Sequence, residues 1–386
     1  MNVIELDEKF YKEAIKLSEY AFQYKVPEEK ISERLETMKS YHKLFGIVDQ
    51  ELVAKLHLLP FEIYLQDNKL KMGGIAGVAT YPEFRRKGYV KEMLTHVLTI
   101  MKEDNCTVSM LHPFSISFYR KYGWEILSNR IKCTLTSSDL IMRQDVPGNV
   151  KRKCTEDAFH DISEIYEQYA LRFSGMLVRT KDWWLKNVID DSNLAIYYNH
   201  ENQPNGYILY SIKDKKMNIE EFVALNGEAR NGLWNFICQH DSMINELVIT
   251  TNEQDPLLYS LHNPAIKIER SPYFMVRIID VEKFLKQYTF NWTAGPQELR
   301  LKVADPYATW NEKTFILKDQ KVAITENNSN DHNCVSVSIN ALSTMLFGYK
   351  RPMELYDIGH IIGTVEEIQK LERLVPQQQS FFNDFF

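Results

Sequence analysis

Three cations and a glycine, Arg85-Arg86-Lys87-Gly88, separate two stretches of different periodicity. Before them runs Ile75-Ala76-Gly77-Val78-Ala79-Thr80, apolar and β-prone, followed by Pro82. After them Val90, Met93, Leu94, Val97, Leu98 and Met101 recur at helical spacing, which predicts an amphipathic helix. The unit is strand, basic glycine loop, helix. A helix N-terminus presents N–H groups that lack intrahelical partners, at the positive end of the dipole. Cations just ahead of it make an anion site suited to a phosphate or pyrophosphate. Gly88 lets the backbone approach a ligand closely. The pattern is neither a Walker loop nor GxGxxG. A solvated basic turn is the alternative these residues leave open.

Arg85-x-x-Gly88-x-Val90 after a strand resembles the pyrophosphate loop of the GNAT acetyltransferases, Arg/Gln-x-x-Gly-x-Gly/Ala. The resemblance implies that Val78, Ala79 and Thr80 pair with the pantetheine arm of acetyl-CoA through free backbone groups. It also implies that Arg85, Arg86, Lys87, Gly88, Tyr89, Val90 and Lys91 hold the pyrophosphate. Val90 departs from the small third residue but still supplies an N–H.

The elements around this unit follow from periodicity and turn residues. Helices are expected over 7–24 and 28–40, with Pro27 at the start of the second. Strands are expected at 43–49, 51–59, 61–66, 69–72, 107–111 and 125–135. Before the last of these, His112 to Trp124 reads as a short helix stopped by Gly123. Asp139 to Asn149, with Pro147-Gly148, reads as a linker. The pattern then repeats, with helices at 156–171 and 180–188, strands at 194–198, 206–212 and 217–225, a helix at 228–240 and a strand at 246–250. In the second copy Asn226-Gly227-Glu228-Ala229-Arg230 stands where the basic loop stood, and Glu228 would repel a pyrophosphate. A degenerate copy without cofactor is expected there. From 285 onward strands alternate at 299–303, 314–317, 321–325 and 335–339, with helices at 340–347 and 364–373. Leu301 to Tyr307 resembles the opening of a sterol-carrier-protein-like domain. The fold class is therefore α/β (α+β): a GNAT domain over 1–140, a second GNAT-like domain over 150–284, and a sterol-carrier-like α+β domain over 285–386.

Composition bounds the function. A chain of 386 residues holds two or three domains, and a net charge of −6 argues against nucleic acid as main partner. No apolar run reaches the length of a membrane span, and the acidic, amphipathic start lacks a signal-peptide layout. The scattered cysteines, Cys106, Cys133, Cys154, Cys238 and Cys334, form no C-x-x-C pair. They suit reduced thiols in a cytoplasm, with no zinc site or other metal.

Two GNAT-like units followed by a sterol-carrier-like domain resemble the Eis-type (enhanced intracellular survival) acetyltransferases over essentially the whole chain. Three local matches carry this: the basic loop, Phe118-Tyr119-Arg120-Lys121-Tyr122-Gly123, and the chain end Asp384-Phe385-Phe386. The resemblance implies Tyr119 as general acid, the α-carboxylate of Phe386 as general base, and Phe114 and Ser115 as contacts to the pantetheine end. It implies an amine acceptor, whether aminoglycoside, polyamine or lysine side chain, and a homo-oligomer, commonly a hexamer. The chemistry stands by itself. A phenol near pKa ~10 facing a thiol near ~8.5 is uphill by roughly 2 kcal/mol, so it can protonate or hydrogen-bond the leaving sulfur. A terminal carboxylate, reference pKa about 3.5, is a weak base that flanking Phe381, Phe382 and Phe385 would strengthen by desolvation. From Pro376 an extended tail spans about 35 Å, at ~3.3–3.6 Å per residue. Fraying is the ordinary fate of a C-terminus, but four phenylalanines in the last six residues favour docking. Tyr122 is the rival acid. His57, His96 and His112 lack the Ser or Cys partner of a hydrolase triad. Trp183, Trp184 and Trp234 read as core, and Glu28, Glu29 and Glu33 as a solvated helix face. A non-catalytic acyl-CoA- or lipid-binding sensor or carrier is the competing class.

Overall fold

A computed structural model describes residues 2–189, 192–293, 298–325 and 334–386. The first segment runs β1 (Ile4–Glu5), α1 (Tyr11–Phe22), α2 (Glu28–Tyr41), β2 (Lys43–Asp49), β3 (Glu51–Leu65), β4 (Asn68–Thr80), α3 (Tyr89–Glu103), β5 (Val108–Leu111), α4 (Ile116–Arg120) and β6 (Glu125–Thr136). The second runs β7 (Asn149–Lys153), α5 (Thr155–Ala170), α6 (Lys181–Trp183), β8 (Asn193–Tyr198), β9 (Pro204–Lys213), β10 (Lys216–Ala224), α7 (Gly227–Cys238), β11 (Glu246–Thr251), α8 (Leu257–Ser260) and β12 (Lys267–Ile278). The third holds α9 (Val281–Gln287), β13 (Leu299–Ala304), β14 (Thr314–Lys318), β15 (Lys321–Thr325), β16 (Val335–Ser338), α10 (Ile339–Leu346), α11 (Pro352–Asp357), β17 (Ile361–Ile362) and α12 (Val365–Leu374).

One sheet of twelve strands, ordered β1-β2-β3-β4-β5-β12-β6-β11-β10-β9-β8-β7, runs through the first two segments. The halves exchange strands at its centre. β12 inserts between β5 and β6, and β6 pairs with β11. Within each half a helix crosses over between two parallel strands, α3 between β4 and β5 and α7 between β10 and β11, as parallel pairing requires. The third segment forms its own five-stranded sheet, β15-β14-β13-β16-β17. Its α10 lies on β6 and β12, where Thr344 donates to the Ile126 carbonyl. Beside it Arg277 of β12 and Asp305 form an ion pair with no solvent exposure.

Three expectations change. The pairs 51–59 with 61–66, and 69–72 with 75–80, are single strands, β3 and β4, paired from end to end. Gly73-Gly74 looks like a break in sequence but is a place without room. A Cβ on Gly73 would meet Met101 Sδ at 2.3 Å, and one on Gly74 would meet the Phe386 ring at 2.8 Å. The strand at the centre of the sheet, β12, is hidden in sequence by its charged start and by Pro272. That proline sits at a register shift, where a missing N–H is tolerated.

Candidate active site

β4 and β5 pair from Met72↔Val108 to Ile75↔Leu111 and then part, because the chain leaves β5 at His112. Ala76 to Thr80 run on with β3 on one side and no strand on the other. A bulge at Gly77-Val78, with φ +54° at Gly77, turns this free edge. Val78 is half-buried, Ala79 and Thr80 are buried, and Thr80 Oγ1 has no hydrogen-bond partner among the described residues.

The free edge leads into the basic loop. Arg85, Arg86 and Lys87 are exposed, and among the described residues none of them has an acidic partner. Arg85 Nε donates back to the Thr80 carbonyl at 3.3 Å, and Lys87 lies over the Phe84 ring. Gly88 has φ +89°, and a Cβ there would meet nothing within 4 Å, so open space lies in front of the helix. No side chain caps α3. Tyr89 turns inward to the core, Val90 is half-buried, and Lys91 faces the Tyr307 ring. A free strand edge, an unpartnered buried hydroxyl and an uncapped helix behind three unpaired cations together suit a long anionic cofactor.

Tyr119 lies on α4, in the core layer shared with Ile75 of β4, Leu111 of β5 and α3. Ser115 caps that helix by accepting from the Phe118 N–H. Tyr119 is 3% exposed, and its ring meets Phe114, Phe118 and Trp124. No described residue hydrogen-bonds to its hydroxyl, and burial pushes its pKa above the ordinary phenol value. Phe114 is exposed. Tyr122 packs between Phe118 and Tyr307, with ring centroids 5.3 and 5.0 Å away. Behind α4, Gly123 adopts φ +94°, and a Cβ on it would lie 2.1 Å from Arg277 Nη1. Asn340 of α10 donates to the Arg120 and Trp124 carbonyls. The third segment thus braces the turn that aims Tyr119.

The C-terminal tail lies on the other face of the sheet, since Gly73 faces Met101 of α3 and its neighbour Gly74 faces Phe386. The Phe386 ring lies on Gly74 of β4 and packs on Phe61 and Phe274 at 4.9 and 5.1 Å. Phe381 and Phe382 are buried, while Phe385 is 62% exposed and edges against His112.

Acetyltransferase (GNAT) domain profiles match residues 2–127 and 175–278, and a sterol carrier protein domain profile matches 281–383. N-acetyltransferase Eis of Mycobacterium tuberculosis is 24% identical over 251 residues, 61% of this chain and 62% of its own length. An uncharacterized N-acetyltransferase of Streptomyces griseus is 23% identical over 261 residues, 60% of this chain and 61% of its own. These alignments therefore span less than two thirds of either relative. A solved structure from Enterococcus faecalis V583, described as a probable N-acyltransferase, matches with a TM-score of 0.92 at 26% identity, over 100% of this chain and 99% of that one. Eis1 from Mycobacterium abscessus shares the fold, with a TM-score of 0.83 at 18% identity over 100% of both chains. The chain carries two acetyltransferase (GNAT) domains followed by a sterol carrier protein domain, and in this it is similar to the Eis acetyltransferases.

The second GNAT domain repeats the geometry and fills it differently. β10 and β11 pair from Lys216↔Glu246 to Ile219↔Ile249, and β10 then runs on alone to Ala224 on that side. At this edge Asn383 of the tail donates to the Glu220 carbonyl at 3.5 Å and to Glu221 Oε1 at 3.0 Å. The following helix, α7, is capped by Asn226, which accepts from the Ala229 N–H, and carries Glu228 in its first turn.

The lock on the tail escapes the sequence reading. Arg179, 1% exposed at its side chain, lies between Glu221 and Asp384 and bonds to both. Its Nε reaches Asp384 Oδ1 at 2.9 Å, and Trp183 Nε1 donates to the same oxygen at 2.7 Å. Trp183, half-buried at the edge of the core, thus also clamps the tail; Trp184 is core. Tyr207 donates to Glu221 at 2.6 Å, and Tyr273 donates to the Asp384 carbonyl at 2.9 Å. Burial raises the Asp384 carboxyl, whereas Glu221, equally buried, is held low by Arg179. Only the motif Asn383-Asp384 among phenylalanines hints at this in sequence. Glu28, Glu29 and Glu33 are exposed along α2, as a solvated face would be, and His96 packs edge-on against Phe45.

Proposed function

We propose that the chain is an acetyl-CoA-dependent N-acetyltransferase acting on a primary amine of a small molecule or peptide, with aminoglycoside-like, polyamine and lysine acceptors as the class. One observation supports the reading: past its pairing with β5, β4 runs on as a free edge into a basic helix N-terminus, with Tyr119 in the core layer on the α3 face of this sheet and Phe386 on Gly74 at the opposite face. Acetyl-CoA supplies an acetyl group activated as a thioester. Val78, Ala79 and Thr80 offer backbone groups to its arm, with Phe114 and Ser115 at the arm's end. Arg85, Arg86, Lys87, Gly88, Tyr89, Val90 and Lys91 hold its pyrophosphate. The second copy, with its capped helix and tail-filled edge, binds no cofactor.

Tyr119 is the general acid. Burial keeps its phenol protonated across the physiological range, so it always presents a donor to the departing sulfur. The same shift widens the uphill gap to the thiol, so its contribution starts as a hydrogen bond to developing charge. The Phe386 carboxylate has no ion-pair partner among the described residues, which leaves it free to accept the proton of the attacking amine. No helix among the described residues is long and apolar enough to cross a membrane, and all five cysteines are free. A homo-oligomer, by family a hexamer, working in the cytoplasm without nucleic acid, membrane or metal completes the proposal.

The test is thiol release from acetyl-CoA over a panel of amines, with Tyr119→Phe and a chain carrying one Gly after Phe386. Both variants should lose at least ~100-fold of amine-dependent release while still binding acetyl-CoA. Undiminished rates would refute the assigned acid and base. Cofactor binding with no amine-dependent release by wild type would favour an acyl-CoA sensor.

A further inference from the structure

On the face of β4 that carries Gly74 and Phe386, three basic side chains form a row beneath the bulge. Lys55 of β3 is 0% exposed, and its Nζ lies 2.7 Å from His57 Nε2. His57 Nδ1 lies 2.9 Å from Nδ1 of His42, which is half-buried at the end of α2. A Cβ on Gly77 would come within 2.9 Å of His57 Cδ2 and 3.0 Å of Lys55 Nζ, so the row lies directly against the bulged edge. His57 pairs across the sheet with Ala76, two residues beyond Gly74 on the same face.

Buried lysines almost always have acidic partners. Here, among the described residues, no carboxylate of α1, α2, β2, β3, β4 or the tail bonds to any of the three. The other charge facing the row is Arg34 of α2, which, like burial, disfavours added protons. The distances permit one continuous donor chain. A Lys55 ammonium donates to His57 Nε2, His57 Nδ1–H donates to His42 Nδ1, and the His42 Nε2–H points onward. We propose that Lys55, His57 and His42 are a proton exit path from the acceptor side of the β4/β5 opening to the surface at the end of α2.

This rests on the acetyltransferase reading, in which an ammonium acceptor becomes an amide and the thioester becomes a thiol, releasing one proton per turnover. The Phe386 carboxylate takes that proton from the amine and hands it, through water in the opening, to the neutral Lys55 Nζ. An N–H bond of Lys55 then breaks as one forms at His57 Nε2. The His57 Nδ1–H bond breaks as one forms at His42 Nδ1, and His42 loses its Nε2 proton to solvent. Charge and atoms balance, and return of the two imidazoles to their starting tautomers resets the row. Burial lowers Lys55 to about 7 and His42 to about 4, so Lys55 can exchange protons near neutrality and His42 holds one only in passing.

Two measurements on the full chain test this. Nitrogen-15 NMR of histidine-labelled protein should show His57 protonated at Nδ1 and His42 protonated at Nε2; a proton on His57 Nε2 would overturn the path. In thiol-release assays His57→Gln and the more exposed His42→Gln should lower kcat ~10- to 100-fold, the range for an assisting proton-transfer group. Added imidazole should restore His42→Gln, with acetyl-CoA affinity unchanged. Unchanged kcat, or loss that imidazole does not restore, would overturn it. If no amine supports turnover, the acetyltransferase reading fails by itself, and the NMR result still decides the row.

Discussion

Replacing Asp384 by alanine should unhook the C-terminal tail without touching the basic loop at Arg85 to Gly88. The Asp384 carboxylate accepts from Arg179 Nε at 2.9 and 3.2 Å and from Trp183 Nε1 at 2.7 Å, in a setting closed to water. A charge-assisted hydrogen bond contributes about 1.5–3 kcal/mol. Arg179 keeps Glu221 in the variant, so the full penalty of about 3–5 kcal/mol for a broken buried pair does not apply. A net loss of about 2–3 kcal/mol shifts the docking equilibrium of the tail roughly 30- to 150-fold toward release. Carboxypeptidase should then remove Phe386 and Phe385 faster by about that factor. Amine-dependent thiol release should fall in kcat, and acetyl-CoA affinity by calorimetry should stay within about twofold. Asp384→Asn, which keeps the shape and loses the charge, should lie between. A freed tail with undiminished kcat would refute the role of Phe386 and leave the lock a purely structural device.

Three further outcomes follow from the same geometry. Lys55→Met should stabilise the protein by about 2–4 kcal/mol at pH 6. The folded state gives up the lysine proton near pH 7 while the unfolded chain keeps it to about 10.4. Wild type therefore gains stability between pH 7 and 10 and the variant does not, so denaturant melts should converge as pH rises. Gly123→Ala should cost about 2–4 kcal/mol, because it puts a Cβ on a φ of +94° and 2.1 Å from Arg277 Nη1; a variant that melts like wild type would show that the turn relaxes freely. Arg85→Ala with Arg86→Ala should weaken acetyl-CoA binding about tenfold and flatten its salt dependence, since both cations are exposed and screened by salt. Unaltered affinity in low salt would place the pyrophosphate elsewhere.

Local patterns were legible. The strand, basic loop and helix at 75–101 announce themselves because each is a short-range event: β-prone residues, an N-terminus with cations, apolar residues at helical spacing. The repeat was legible for the same reason, since a crossover helix between parallel strands imposes its own order of elements. β12 was not, because its place between β5 and β6 depends on partners that lie far away in sequence. The continuity of β3 and β4 also was not, because Gly73 and Gly74 serve Met101 and Phe386 and not a turn.

By itself, then, the sequence determined the class of fold and a basic loop ahead of a helix, since composition, periodicity and motif are properties of neighbouring residues, while the candidate pair Tyr119 and Phe386 came from its resemblance to the Eis-type acetyltransferases. Tertiary structure alone decided that the tail returns to the first copy by crossing the second, clamped by Arg179, Trp183 and Glu221. It alone set Lys55, His57 and His42 in a row. Buried polar groups must find partners wherever the fold brings them, and no spacing along the chain records which partners those will be.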